Sequence, residues 1–337
     1  MAYCVGLDIG YSNLKVQAGE RGSPSPFVLP AGAGPKNRLS RGLLGDSEYP
    51  EVLVDGTIWV GGVEPGQIEA SARELHEDYA GTDAYRALAL SALSVIGRDH
   101  VDHLVTGLPV DHYGSQSRRQ RLQKMLTGQI RLNHHRQVYV HQVTVLPQPA
   151  GAFMDQLASL PAGDLRVLRE GKVVVLDPGF YSVDWVILEG GNVRASSSGT
   201  SQQAMSTVLE NAAKQICSEH GKGAVTPQKL ESAIRQGRSS VLAFGQELDF
   251  RPYLDSVRED ITHSALSSLR SRMRDQEDSA PDMVILTGGG ARAYQRAARE
   301  AFPNSRLLLP DHPVTSNAKG FWEYAVEHAE AAHANAN

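Results

Sequence analysis

The feature that most constrains this chain is a strand-turn-strand pattern that occurs twice. Tyr3 to Ile9 is a short apolar run carrying Asp8 near its end; it turns through Gly10-Tyr11-Ser12-Asn13 and resumes in alternation over Leu14 to Ala18. Downstream, Val173 to Leu176 ends in Asp177, turns through Pro178-Gly179-Phe180-Tyr181 and alternates again from Ser182 to Ile187. Period-two alternation on either side of a short glycine-bearing turn reads as a β-hairpin. Asp177 follows Asp8 by 169 positions, and Gly179 follows Gly10 and Asp184 follows Lys15 by the same interval, half of the 337 residues to within one. Two copies of one α/β unit are the simplest explanation. At roughly 150 residues per domain the length fits two domains, which we place at 1–150 and 151–337.

The stretches between the hairpins alternate strand and helix. Val52 to Val60 holds two alternating runs around Asp55-Gly56, a strong hairpin signal. Tyr85 to Ile96 has helical spacing, Val101 to Leu108 reads as a strand, Ser115 to Leu126 as a helix, Val138 to Leu146 as a strand, and Gln148-Pro149 opens another helix. In the second half, helices are expected over Ser201 to His220 (capped within Ser196 to Ser201), Thr226 to Gln236 (a short helix of a peripheral insertion), Tyr253 to Met273, Ala291 to Phe302 and Asn317 to Ala329, with strands at Met283 to Leu286 and Arg306 to Leu309. Ala31 to Ser47 reads as an unassigned loop, and His333 to Asn337 as a fraying end. This alternation predicts an α/β fold with a mixed sheet in each half.

The turns carry chemistry. A carboxylate at the end of a buried strand, followed by a glycine hairpin, aims successive backbone N–H groups at an anion and can hold a divalent cation through water. One such hairpin is an ordinary turn; two at matched spacing can clasp a polyphosphate from both sides. A third element is the apolar strand Met283 to Leu286, followed by Thr287-Gly288-Gly289-Gly290 and a helix. It is either a plain strand-to-helix loop or a close approach to a flat ligand with phosphate at the helix start. Neither a Walker G-x-x-x-x-G-K-[ST] pattern nor a G-x-G-x-x-G after a strand is present, so a P-loop or Rossmann site is not expected.

Composition narrows the classes further. Thirty-three Lys plus Arg against 38 Asp plus Glu give a net charge of −5, which does not make a general nucleic-acid-coating surface. Arg118, Arg119, Arg121 and Lys124 read as a solvated helix face, and His134, His135 and His141 lack partners at metal-ligand spacing. Cys4 and Cys217 offer no disulfide framework, and no apolar run reaches membrane-spanning length. Glu323, Glu327 and Glu330 on the last helix oppose an anionic lipid surface. A cytoplasmic protein without a signal peptide is the expectation.

Taken in order, Gly6-Leu7-Asp8-Ile9-Gly10 to Lys15, Leu176-Asp177-Pro178-Gly179 to Asp184, and Leu286-Thr287-Gly288-Gly289-Gly290-Ala291 resemble the first phosphate loop, second phosphate loop and adenosine loop of the actin, Hsp70 and sugar-kinase superfamily. Within it, Val105-Thr106-Gly107-Leu108-Pro109-Val110 with Tyr113, the Asp55-Gly56 hairpin and Asn317-Ala318-Lys319-Gly320-Phe321 are similar to bacterial actin-like plasmid-segregation proteins of the ParM/StbA type.

The resemblance implies an actin-like (ribonuclease H-like, duplicated) fold, two domains around a nucleotide cleft, with the closing helix returning to the first. It implies Mg-ATP, with GTP not distinguished, and filament assembly that drives DNA segregation through a DNA-binding adaptor, hydrolysis then destabilising the filament. Asp8 and Asp177 would hold Mg2+ through water; Gly10, Tyr11, Ser12, Asn13 and Gly179, Phe180, Tyr181, Ser182 would wrap the β- and γ-phosphates; Lys15 would contact phosphate; Gly288, Gly289 and Gly290 would line the adenine and α-phosphate. Phe180 and Tyr181 stand where the superfamily often has Gly or Thr, so contacts there fall to the backbone. Gln148 either matches the residue that orients the attacking water or is a polar helix start beside Pro149; as a neutral amide it is no strong base, which implies slow turnover. Glu210 and Lys214, four apart on a helix, either face the ribose or form a solvated salt bridge. A small-molecule kinase or phosphohydrolase on the same fold, with Asp177 as base, and a non-polymerising nucleotide switch are the alternatives.

Overall fold

The computed structural model describes residues 2–40, 48–69, 78–274 and 280–335. Two mixed sheets carry the two hairpins. The first runs in the order Ser25–Pro30, Asn13–Gly19, Cys4–Ile9, His100–Leu108, Gln137–Pro147, Gly128–Arg131. The second runs Asn192–Val193, Val183–Glu189, Lys172–Pro178, Met283–Leu286, Arg306–Leu308, with Gly199–Ser201 alongside Val183–Glu189. In each, an antiparallel hairpin is followed by parallel neighbours, so the sheets repeat one topology. Registers match as well: Asp8 pairs with Lys15 in the first hairpin and Asp177 with Asp184 in the second.

The first strand of each hairpin, Cys4–Ile9 and Lys172–Pro178, is buried on both faces, which is why each reads as a short apolar run. The helix Asp83–Ile96 packs Tyr85, Leu88 and Leu93 into the core beneath the first sheet. Thr82 caps it by accepting from the Tyr85 N–H, and Gly97 ends it at φ 74°. The opposite face is covered by the last helix, Ser316–Asn335, through Phe321, Trp322, Ala325 and Val326 against Cys4 and Val105. That helix crosses Gln148–Ser159 in close backbone contact: a Cβ on Gly320 would lie 1.7 Å from the Gly151 carbonyl oxygen. Only glycine admits this crossing, which brings the starts of both helices to the same place.

Several expectations need correction. The helix expected from Ser201 begins at Met205 without a side-chain cap; Gly199–Ser201 is instead a strand, because it pairs with Val183–Glu189. Part of the unassigned stretch 31–47 is ordered: Gly32–Pro35 pairs with Thr57–Val63, and Lys36–Arg38 is a 3-10 turn. Residues 41–47 of that loop lie outside the described residues. The closing helix runs beyond Ala329 to Asn335, so His333 to Asn335 are helical, and 336–337 lie outside the described residues. The strands Ser25–Pro30 and Gly128–Arg131, the hairpin Ser240–Ala243 with Gln246–Asp249, and the helix Ala162–Glu170 have no counterpart in the sequence reading. Among the described residues no helix is long and apolar enough to cross a membrane.

Candidate functional site

The two hairpins and the Gly288-Gly289-Gly290 loop line one cavity of about 460 Å³. Both turns close identically: the Gly10 N–H donates to the Asn13 carbonyl at 3.0 Å, and the Gly179 N–H to the Ser182 carbonyl at 2.8 Å. The third loop docks onto the second hairpin, since the Gly290 N–H donates to the Pro178 carbonyl at 2.8 Å. Gly288 adopts φ 77°, and a Cβ there would lie 2.0 Å from Asp177 Oδ1. Its glycine is therefore required twice over, by conformation and by space.

The two carboxylates differ in what opposes them. Asp8, 2% exposed, accepts from Lys15 Nζ at 3.0 Å and from Gln148 Nε2 at 2.9 Å. Asp177 accepts from Asn317 Nδ2 at 2.6 Å, but its register partner is a third carboxylate, Asp184. Burial first, and then the charge of Asp8, push the Asp177 carboxyl up to about 7, against the opposing pull of Lys15 and the Asn317 bond. Asp184 is also raised by burial, but its oxygens are engaged: it accepts from Ser182 Oγ at 2.7 Å, Thr200 Oγ1 at 2.6 Å and the Val110 N–H at 2.9 Å.

This uneven arrangement leaves negative charge around Asp177 that a divalent cation would neutralise. Among the described residues no group of three or more His, Cys, Asp or Glu could hold a metal by itself. Asp8 and Asp177 could hold a divalent cation only with the remaining ligands supplied by phosphate or water.

Of the sequence candidates, Asp8, Gly10, Tyr11, Ser12, Asn13, Lys15, Gln148, Asp177, Gly179, Phe180, Tyr181, Ser182 and the three glycines line the cavity. Glu210 and Lys214 do not; both are exposed on the helix Met205–His220, whose Met205 and Leu209 are the residues that reach the cavity. His134, His135 and His141 are exposed. Arg118 and Arg121 pair with Asp78, and Arg119 lies over the Tyr113 ring, so much of that basic helix face is spent within the chain.

The helix Pro227–Arg235, read from sequence as peripheral, contributes Glu231, Ile234 and Arg235 to the cavity wall. Tyr79 was equally unforeseen. Its ring stacks on Tyr11 at 4.3 Å, and Tyr11 meets Tyr181 of the opposite hairpin at 4.7 Å. Asn317, in the Asn317–Phe321 stretch that resembles the segregation proteins, carries no site role in the sequence, yet its side chain reaches Asp177.

Two family profiles match the chain: the N-terminal domain of actin-like proteins over residues 6–151, and the C-terminal domain of the archaeal actin homologue, MreB-like, over residues 175–300. The chain belongs to the actin-like proteins. Each profile contains one of the paired hairpins, so the actin-like duplication and the 169-residue interval describe the same repeat. Among solved structures, a non-polymerisable quadruple mutant of pCBH ParM matches with a TM-score of 0.76 at 19% identity, covering 97% of this chain and 100% of that one. The archaeal actin homologue Ta0583 matches at 0.76 and 20%, covering 97% and 99%. A ParM from a 15-stranded filament of Clostridium botulinum matches at 0.73 and 18%, covering 97% and 99%. Ta0583 is also solved in complex with ADP, and a Bacillus thuringiensis ParM with AMPPNP, at TM-scores of 0.72 and 0.62. These likenesses show that the actin-like fold extends over nearly the whole chain. No curated protein matches it in sequence.

Proposed function

We propose that this actin-like chain is a cytoplasmic ATPase that binds Mg-ATP between lobes 1–150 and 151–337, assembles into filaments, and segregates plasmid DNA through a DNA-binding adaptor. The observation that carries the reading is the facing of two identically closed hairpins across one cavity, with the buried carboxylate Asp8 and the half-buried carboxylate Asp177 on its wall. ADP and AMPPNP in the Ta0583 and ParM structures support a nucleotide in this cleft, and the ParM filament supports self-assembly. Arrangement in a row by head-to-tail contacts is what a heterologous interface produces.

In this reading the turns Gly10 to Asn13 and Gly179 to Ser182 bind the β- and γ-phosphates, and Gly288 to Gly290 admit the adenosine part. Mg2+, when bound, supplies neutralisation of the developing phosphoryl charge. Lys15 adds a fixed cation beside Asp8. Gln148, with Nε2 donated to Asp8, offers Oε1 as the acceptor that orients a water. An amide does not take the proton, so the chain hydrolyses by positioning and electrostatics, and slowly. Loss of the γ-phosphate removes a ligand common to both hairpins and so weakens the closed arrangement that favours the filament.

Right-angle light scattering and pelleting with Mg-ATP, with Mg-ADP and with neither test the proposal. Sedimentable polymer with Mg-ATP that decays as phosphate appears supports it. Phosphate release stimulated by a sugar without polymer would replace it with a small-molecule kinase.

A further inference from the structure

We propose that Arg235 closes the cleft as a latch, holding the first phosphate hairpin to the second half of the chain and limiting the rate at which nucleotide leaves. The inference rests on the nucleotide reading above and adds a control to that site. Its basis is a cluster of cross-chain contacts on the helix Pro227–Arg235, which is rooted in the second half by packing of Leu230 and Ala233 with Leu209, Val241 and Phe250.

Glu231 and Arg235 stand four apart on one helix face and both reach into the first half. Ser12 Oγ donates to Glu231 Oε1 at 2.5 Å, and Arg235 Nη1 donates to the Ser12 carbonyl at 3.1 Å. Ser12 lies in the turn closed by Gly10 and Asn13, so its hydroxyl and its carbonyl are both held from across the cavity. The second guanidinium nitrogen, Nη2, pairs with Glu64, which follows the strand Thr57–Val63 of the small three-stranded sheet. One guanidinium thus joins the helix, the phosphate turn and that sheet.

The side chains of Arg235 and Glu231 are only 17% and 8% exposed, so solvent screens this cluster less than a surface pair. Glu231, Ile234 and Arg235 line the same cavity as the hairpins. Opening the cleft on this side parts the helix from the first hairpin, and parting them breaks the Arg235 contacts. Arg235 Nε is buried with no hydrogen-bond partner among the described residues, so the contacts that hold the guanidinium are those of Nη1 and Nη2. Arg235 is therefore a positioning residue: it acts through Ser12 and Glu64.

The test is stopped-flow release of Mg-loaded mant-ADP from the full chain, comparing wild type with Glu64→Gln, Arg235→Lys and Arg235→Ala. Loss of one partly buried charged contact should speed release on the order of tenfold in Glu64→Gln and further in Arg235→Ala, with Arg235→Lys between wild type and Ala. Added salt should speed release from wild type more than from Glu64→Gln. Glu64 is one-third exposed, so its amide variant is a test that survives even if Arg235→Ala does not fold. Wild-type binding with release unchanged in Glu64→Gln overturns the latch and leaves the nucleotide reading standing. A wild-type chain that takes up no mant-ADP overturns both.

Discussion

Gln148 and Asn317 stand at the same interval as the two hairpins, 169 positions apart, and each donates its side-chain amide to the carboxylate of its own half: Gln148 Nε2 to Asp8 Oδ1 at 2.9 Å, Asn317 Nδ2 to Asp177 Oδ2 at 2.6 Å. Each sits at the start of a helix, Gln148–Ser159 and Ser316–Asn335, and the glycine crossing of those helices brings both amides to the cleft. The duplication therefore includes the groups that steady the acidic residues as well as the strands that carry them.

Asn317 also accepts from the Ala152 N–H at 3.2 Å, so Asn317→Ala removes two bonds from a buried crossing. The expected cost is about 1–3 kcal/mol, read by urea denaturation. The lost donor also lets the Asp177 carboxyl rise further, so Mg-nucleotide affinity near pH 7 should fall and recover at higher pH. Unchanged affinity at both pH values would remove Asn317 from the site.

Asp177 makes the nucleotide-free protein sensitive to pH. Burial and the charge of Asp8 push its carboxyl up to about 7 in the folded chain, against an ordinary value of 3.8. Between these values the folded state binds more protons than the unfolded one, so stability is fully present at low pH and is lost as pH rises through 7. Asp177→Asn should flatten this slope and stabilise the nucleotide-free protein at pH 8 by on the order of 2–4 kcal/mol. The same variant should lose Mg-dependent hydrolysis. Denaturation midpoints from pH 5 to 8 and phosphate release check the two halves of the prediction.

Gly288→Ala introduces a Cβ at φ 77° and 2.0 Å from Asp177 Oδ1. The backbone term alone is about 1–2 kcal/mol, and the clash displaces the carboxylate. Nucleotide affinity should fall more than stability does, measured by mant-ATP titration beside a thermal melt. Gly320→Val should behave differently: with its side chain driven at the Gly151 carbonyl, it should prevent soluble expression.

Gln148→Ala removes the amide but leaves Lys15 on Asp8. Hydrolysis should drop by about 10–100-fold while mant-ATP binding changes little, because the residue orients water rather than phosphate. An equal loss in binding and turnover would make Gln148 a structural support for Asp8 instead.

Local chemistry made part of this protein legible from its sequence. Hairpins betray themselves through period-two alternation and glycine turns, so both phosphate turns, the Asp55-Gly56 hairpin and the third glycine loop stand out residue by residue. Their equal spacing adds the duplication, and with it the pairing of Asp8 with Asp177. Side chains that reach the cavity from distant segments carry no such mark. Tyr79, Glu231 and Arg235 are ordinary helix or loop residues until long-range packing carries them across, and Glu210 and Lys214 share a plausible spacing on a helix whose inward face is set by Met205 and Leu209. The helix start at Met205 escaped for the same reason: strand pairing across the sheet claimed Gly199–Ser201, against a local capping preference. Sequence alone determined the repeated turns and the acidic residues they present, because those depend on neighbours along the chain. Tertiary structure decided which helices face the cleft and what each carboxylate meets there, because those depend on contacts between residues a hundred or more positions apart.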